Sequence, residues 1–198
     1  MSSLVRVRHG RTEANARGLL LGRLDVELDD LGRRQARAVA GAVLATTGPI
    51  AAVVSSPLAR TRATAEALGL PVEVDERFVE LDYGEFDGRP LTDVPPEVWA
   101  SWRTAPGFRP PGGETLAQVS DRVVVACREW AARADGAAVV IVTHVSPLKA
   151  AVAWALGVGD ETGWRTRVDP ASISRVAVDG PVPVLRSFNE TGHLASLS

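Results

Sequence analysis

The 198-residue chain has a single cysteine, Cys127, and only three histidines. One cysteine excludes an internal disulfide framework and a multi-cysteine metal site. No apolar run approaches the roughly 18 residues that span a bilayer. Charged Arg6 and Arg8 arrive too early for a secretory leader, so the expected setting is the cytoplasm. An excess of one sign of charge is also missing. The 22 Lys and Arg residues face 24 Asp and Glu, which argues against a nucleic-acid protein held by bulk positive charge. Lysine is nearly absent: Lys149 stands alone and the other basic residues in that count are arginines. With abundant Ala, Gly and Val, this follows GC-rich codon usage, which explains the number of arginines and not their positions.

What is present reads as one domain over residues 1–198 with a sizeable core. Apolar Leu4, Val5 and Val7 place a first strand over Leu4–Arg8. A helical turn is expected near Thr12–Ala16 and a loop over 18–30. A helix follows from Leu31 to Ala45, capped by Asp29 or Asp30. The continuous apolar run Ile50–Ser55 predicts a buried parallel strand. The next helix is expected to start with Ser56 as N-cap and Pro57 as its first residue, and to reach Leu68. A short strand falls at 72–74. Residues 81–113 hold Pro90, Pro95, Pro96, Pro106, Pro110 and Pro111, and read as a loop-rich lid with one helix near 97–104. Helices over 116–133 and 146–156, a buried strand over 137–143 and two final strands complete the chain. The alternation predicts an α/β fold: a three-layer α/β/α sandwich with a mostly parallel central sheet.

In such folds reactive residues gather where strands end and helices begin. Arg8, His9 and Gly10 follow the first strand, Arg60 lies early in a helix, and His144 follows the strand ending at Thr143. Two of three histidines thus hold equivalent positions, with arginines beside them. Residues 1–23 carry five arginines against Glu13, which suits an anionic ligand, although Arg6 can point outward along its strand.

Five segments in order resemble the histidine phosphatase superfamily, the phosphoglycerate-mutase-like family. They are Arg8-His9-Gly10-Arg11-Thr12-Glu13-Ala14-Asn15, the run Ser55 to Thr64, Glu80 to Gly88, Gly112-Gly113-Glu114-Thr115, and Thr143-His144. One departure is that Val145, Ser146 and Pro147 follow His144, where many relatives have glycine. Ser146-Pro147 suits a helix start, so His144 is expected in place.

A neutral imidazole can attack phosphorus and hold the phosphoryl group, provided its other nitrogen donates to a fixed acceptor. The resemblance implies His9 as that nucleophile, with a carbonyl near Gly10 as acceptor. Arg8 and Arg60 can each present a planar fork to phosphate oxygens. His144, if protonated, adds a third cation. The resemblance assigns Asn15 to the phosphate pocket and Glu80 to proton transfer. Glu80 is expected to carry a proton when substrate binds, with activity favouring mildly acidic to neutral pH. The amide of Val145 is a candidate phosphate contact. No metal and no cofactor is expected.

Other residues carry weaker signals. Arg62 reads as a surface pair, Arg11 is evenly balanced, and Arg23 and Glu27 read as solvated loop. Trp99 and Trp102 share a helix face and read as core or lid packing before substrate stacking, with Phe108 and Arg109 in the same lid. Cys127 reads as a buried small hydrophobe and His193 as structural.

The resulting expectation is a metal-independent phosphomonoester hydrolase working through a phosphohistidine on a small phosphorylated metabolite, with no nucleic-acid or membrane partner and a homodimer left open. A phosphoglycerate mutase is the alternative, disfavoured by the short segment between Glu80 and His144. A non-catalytic phospho-ligand binding protein is disfavoured because nucleophile and acid both remain. Sugar phosphates, phosphoglycerates, nucleotide-linked phosphates and α-ribazole phosphate stay open as substrates.

Overall fold

The computed structural model describes residues 1–105 and 107–197; Pro106, one of the prolines of the 81–113 segment, lies outside them. Six strands form one sheet: β1 (Ser3–Arg8), β2 (Ile50–Ser55), β3 (Val72–Val74), β4 (Ala138–Thr143), β5 (Ile173–Ala177) and β6 (Val184–Glu190). Their order is β3-β2-β4-β1-β5-β6. The β3, β2, β4 and β1 neighbours pair in parallel, whereas β5 pairs antiparallel with β1 and with β6. All six residues of β4 are buried, as a central strand covered on both faces requires.

The sheet faces follow the period of two. Val5 and Val7 point one way, onto α2 (Asp30–Thr46) and α3 (Ala59–Glu66), where they meet Val39, Val43 and Ala65. Leu4 points the other way, onto α5 (Leu116–Ala134), where it joins Val123 and Cys127. Also covering the sheet is α6 (Val145–Leu156). This is the expected three-layer arrangement. By the same alternation Arg6 and Arg8 share the face of Leu4. Arg6 is therefore not outward-pointing but fully buried, with its guanidinium against the Cys127 thiol.

The helix starts were partly legible. Asp29 caps α2 by accepting from the Gly32 amide. The short α1 (Glu13–Ala16) is closed by a capping box between Thr12 and Asn15. The α3 helix begins later than expected, at Ala59 with Leu58 as its cap, because the Ser56 hydroxyl is engaged by His144 rather than by the helix. The proline-rich 81–113 segment holds α4 (Pro96–Thr104) and two single 3₁₀ turns. It is stitched at both ends: Glu85 donates to Pro111 O, Leu20 to Arg89 O and Leu91 to Gly18 O. Asp87 accepts three amides in a row, from Gly22, Arg23 and Leu24.

Candidate active site

Strands β1, β2 and β4 run parallel, so their C-terminal ends open on the same side of the sheet. His9 leaves β1 there. Its amide donates to Thr143 O on β4 at 3.0 Å, and its carbonyl accepts from Ala171 at 3.0 Å. The ring Nδ1 lies 2.7 Å from Gly10 O. A carbonyl only accepts, so Nδ1 carries the proton and the lone pair sits on Nε2. Burial first, then the charges of Arg60 and Arg8, hold this imidazole well below its ordinary titration range. His9 is neutral.

Glycine at position 10 is required for a reason beyond this bond. A Cβ there would lie 2.4 Å from Gly32 O, and one on Gly32 would lie 1.9 Å from Arg11 O. The start of α2 thus presses directly on the backbone that carries His9.

The His144 ring stands edge-on to His9 with centroids 5.2 Å apart. Its Nε2 meets Ser56 Oγ at 2.8 Å. Burial, then Arg60, His9 and Arg8, push it well below the ordinary range. In the free site burial thus disfavours the protonated His144 on which a third cation depends.

Arg8 donates one nitrogen to Val168 O at 2.6 Å. Burial lowers it to about 10, which still leaves it charged at neutral pH. Arg60 is fully buried and spends both terminal nitrogens on Leu24 O and Gly22 O, each at 2.7 Å. Its fork holds the 22–24 loop rather than opening toward a ligand. Its charge nevertheless acts on both histidines.

Glu80 is buried, and its carboxylate gathers backbone donors. Oε1 accepts from Leu81 at 2.8 Å and Ser146 at 3.1 Å, and Oε2 accepts from Val145 at 3.1 Å. The Val145 amide, anticipated as a phosphate contact, is committed to Glu80. Asn15 uses its side-chain oxygen to accept the Thr12 amide, which leaves its NH₂ group for another acceptor.

Arg8, His9, Asn15, Glu80 and Val145 line a cavity of about 310 Å³. Arg60 acts on His9 through its charge and His144 stands edge-on to its ring, but neither lines the cavity. Among the five N-terminal arginines only Arg8 reaches the cavity. Arg11 pairs with Asp29, and Arg23 with Glu114 and Asp82. Arg62 pairs with Glu66 on the surface, and His193 donates from Nε2 to Ala171 O at 2.9 Å.

Ser56, whose local sequence fits a helix cap, instead serves His144. Trp99 and Trp102 pack with each other, as expected, but also line the cavity, together with Tyr83, Lys149 and Trp164. Lys149 had one signal, its uniqueness; Trp164 had none. Arg122 on α5 holds the segment leading to the acid. It donates to Arg77 O, Val79 O and Glu80 O while gripping Glu114 through two nitrogens at 2.9 Å each.

A neutral imidazole with a free lone pair, buried cations beside it and a carboxylate across the cavity define a site suited to phosphoryl transfer on a three-layer α/β scaffold. The chain belongs to the histidine phosphatase superfamily (branch 1), whose family model matches residues 4–191. It is 38% identical over 200 residues to a bifunctional protein of Mycobacterium tuberculosis, covering 96% of this chain and 54% of that one. The chain thus spans about half the length of that relative. It is 33% identical over 204 residues to phosphoserine phosphatase 1 of Hydrogenobacter thermophilus, covering 98% and 95%. Its fold matches that of a phosphoserine phosphatase of Entamoeba histolytica bound to phosphoserine, with a TM-score of 0.88, 25% identity, and 98% and 100% of the two chains covered.

Proposed function

We propose that this chain is a phosphomonoester hydrolase that carries the phosphoryl group on His9, as one catalytic domain with the 81–113 segment as its cover. The observation that carries this reading is the His9 tautomer: Nδ1–H is tied to Gly10 O at 2.7 Å, so Nε2 faces the reaction as a neutral nucleophile. Nε2 attacks phosphorus, the ester P–O bond breaks, and Glu80 gives its proton to the departing oxygen. Arg8 receives phosphate oxygens, and the buried charge of Arg60 stabilises the spreading negative charge from behind. Asn15 adds an amide donor. The incoming dianion offers His144 the charge that favours its protonated form. Water then attacks phospho-His9, Glu80 takes its proton, and inorganic phosphate leaves. The composition supports a cytoplasmic setting without nucleic-acid or membrane partners.

Hydrolysis of p-nitrophenyl phosphate tests the reading. The wild type is expected to turn over, and His9→Ala to fall by ~10³-fold or more. Equal turnover by the two proteins would sink the mechanism. Interconversion of phosphoglycerates without release of inorganic phosphate would replace hydrolysis by mutase action.

A further inference from the structure

We infer that the site is built for phosphomonoesters of apolar, ring-bearing alcohols rather than for phosphates that carry a second anionic group. This rests on the phosphatase reading and names the substrate class of the same cavity.

Past the phosphate end, the cavity wall is leucine and tryptophan. Trp99 and Trp102 come from α4, and Trp164 from the 3₁₀ segment Asp160–Arg165. The rings support one another: Trp99 and Trp102 stack at 5.6 Å, and Trp164 meets each of them at 6.3 Å. Tyr83 and Phe108 brace Trp102 from two further sides, both at 5.5 Å. Three of the five tryptophans in the chain thus form one braced wall facing a ligand cavity. Such a wall rewards a flat apolar body by removing its surface from water and by ring-on-ring contact. A volume of about 310 Å³ lies at the lower bound for a small-molecule site, enough for a phosphate and a compact ring.

The polar groups on this wall are already engaged with one another. Ser120 donates to Asp160, the Tyr83 hydroxyl faces Ser146 Oγ at 3.5 Å, and the Lys149 ammonium donates to Gly163 O at 2.6 Å. Lys149 is the cation that lines the cavity besides Arg8 among the described residues, and the carboxylate of Asp160 lines it too. A ligand carboxylate would therefore meet one ammonium already bonded to Gly163 O and the Asp160 side chain, with no arginine fork besides Arg8 to receive it. Phosphoserine, the ligand bound in the Entamoeba structure, carries such a carboxylate; this tryptophan wall answers a different shape of substrate.

The test uses alkyl esters throughout, so that leaving-group chemistry is matched. We expect kcat/KM for 3-phenylpropyl phosphate to exceed that for phosphoserine and 3-phosphoglycerate by tenfold or more, and Trp164→Ala to shrink that ratio mainly through KM. Binding without chemistry gives the second arm. Titrated against tryptophan fluorescence, 3-phenylpropylphosphonate is expected to bind at least tenfold more tightly than 3-phosphonopropionate. The two phosphonates binding equally, or in reversed order, overturns the inference whether or not any ester is hydrolysed. A preference for the carboxylated esters that is lost in Lys149→Met overturns it as well, and identifies Lys149 as a carboxylate receptor. Failure of hydrolysis with the phosphonate order intact instead overturns the phosphatase reading alone.

Discussion

Gly10 shows how little room surrounds the nucleophile. Its neighbour is the Gly32 carbonyl, a backbone group that cannot rotate away. Gly10→Ala is expected to cost about 1–3 kcal/mol from overpacking and to lower Tm by roughly 5 °C for a chain of this size, with loss of activity as His9 shifts. Gly41, inside α2 with nothing within 4 Å of a Cβ, is the control. Gly41→Ala is expected to hold or raise Tm, since alanine is the better helix former by up to about 1 kcal/mol. Thermal melts of both variants check the pair. At this scale the sequence was most legible where chemistry demands a residue type: Arg8, His9, Glu80 and His144 all lie together. It was least legible where a side chain has two plausible partners. Ser56 before Pro57 satisfies the local rule for a helix cap, and only the arrival of β4 beside β2 brings His144 to claim it instead.

Among the elements, α5 does more than cover the sheet. Arg122 reaches from it to the carbonyls of Arg77, Val79 and Glu80, and Glu114, also mostly buried, balances its charge. Arg122→Met removes one partner of this pair and leaves Glu114 without its main donor. The expected loss is about 3 kcal/mol, read in urea melts, with kcat falling more than KM rises because the acid, not the cavity, is displaced. Helix and strand positions followed from period and punctuation, so β2 fell on Ile50–Ser55 and α5 on Leu116–Ala134. The 81–113 segment was readable only as irregular. Its order comes from hydrogen bonds to residues 18–24, far away in sequence, and a local pattern carries no trace of those. Arg6 misled for a related reason: alternation along β1 fixes its face, but the hydrophobic pattern predicts no arginine there.

For the molecule as a whole, two buried neutral histidines make stability depend on pH. His9 and His144 both titrate well below 6.5 when folded, whereas unfolded histidines take up protons near that value. Between about pH 7 and 5 the unfolded chain therefore binds more protons than the folded one, and stability falls as pH falls. Each histidine contributes up to about 1.4 kcal/mol per pH unit in that window. Lower down, Asp75, Glu114 and Asp169, all held below the ordinary carboxylate range, add a second loss below about pH 4. Urea melts from pH 8 to 5 are expected to show the first slope, and His144→Gln to remove a large part of it; a flat profile in the wild type would contradict the burial of neutral rings.

The solitary lysine has a practical consequence. Lys149 sits on the cavity wall, and burial lowers its ammonium's affinity for its proton, which leaves more of the free amine at neutral pH. The chain thus offers an acylating dye a single lysine amine, that of Lys149. Treatment with an activated ester near pH 7 is expected to label Lys149 as the one lysine site found by peptide mapping, with 3-phenylpropylphosphonate slowing its attachment. A reporter dye could be seated inside the cavity without engineering a single residue.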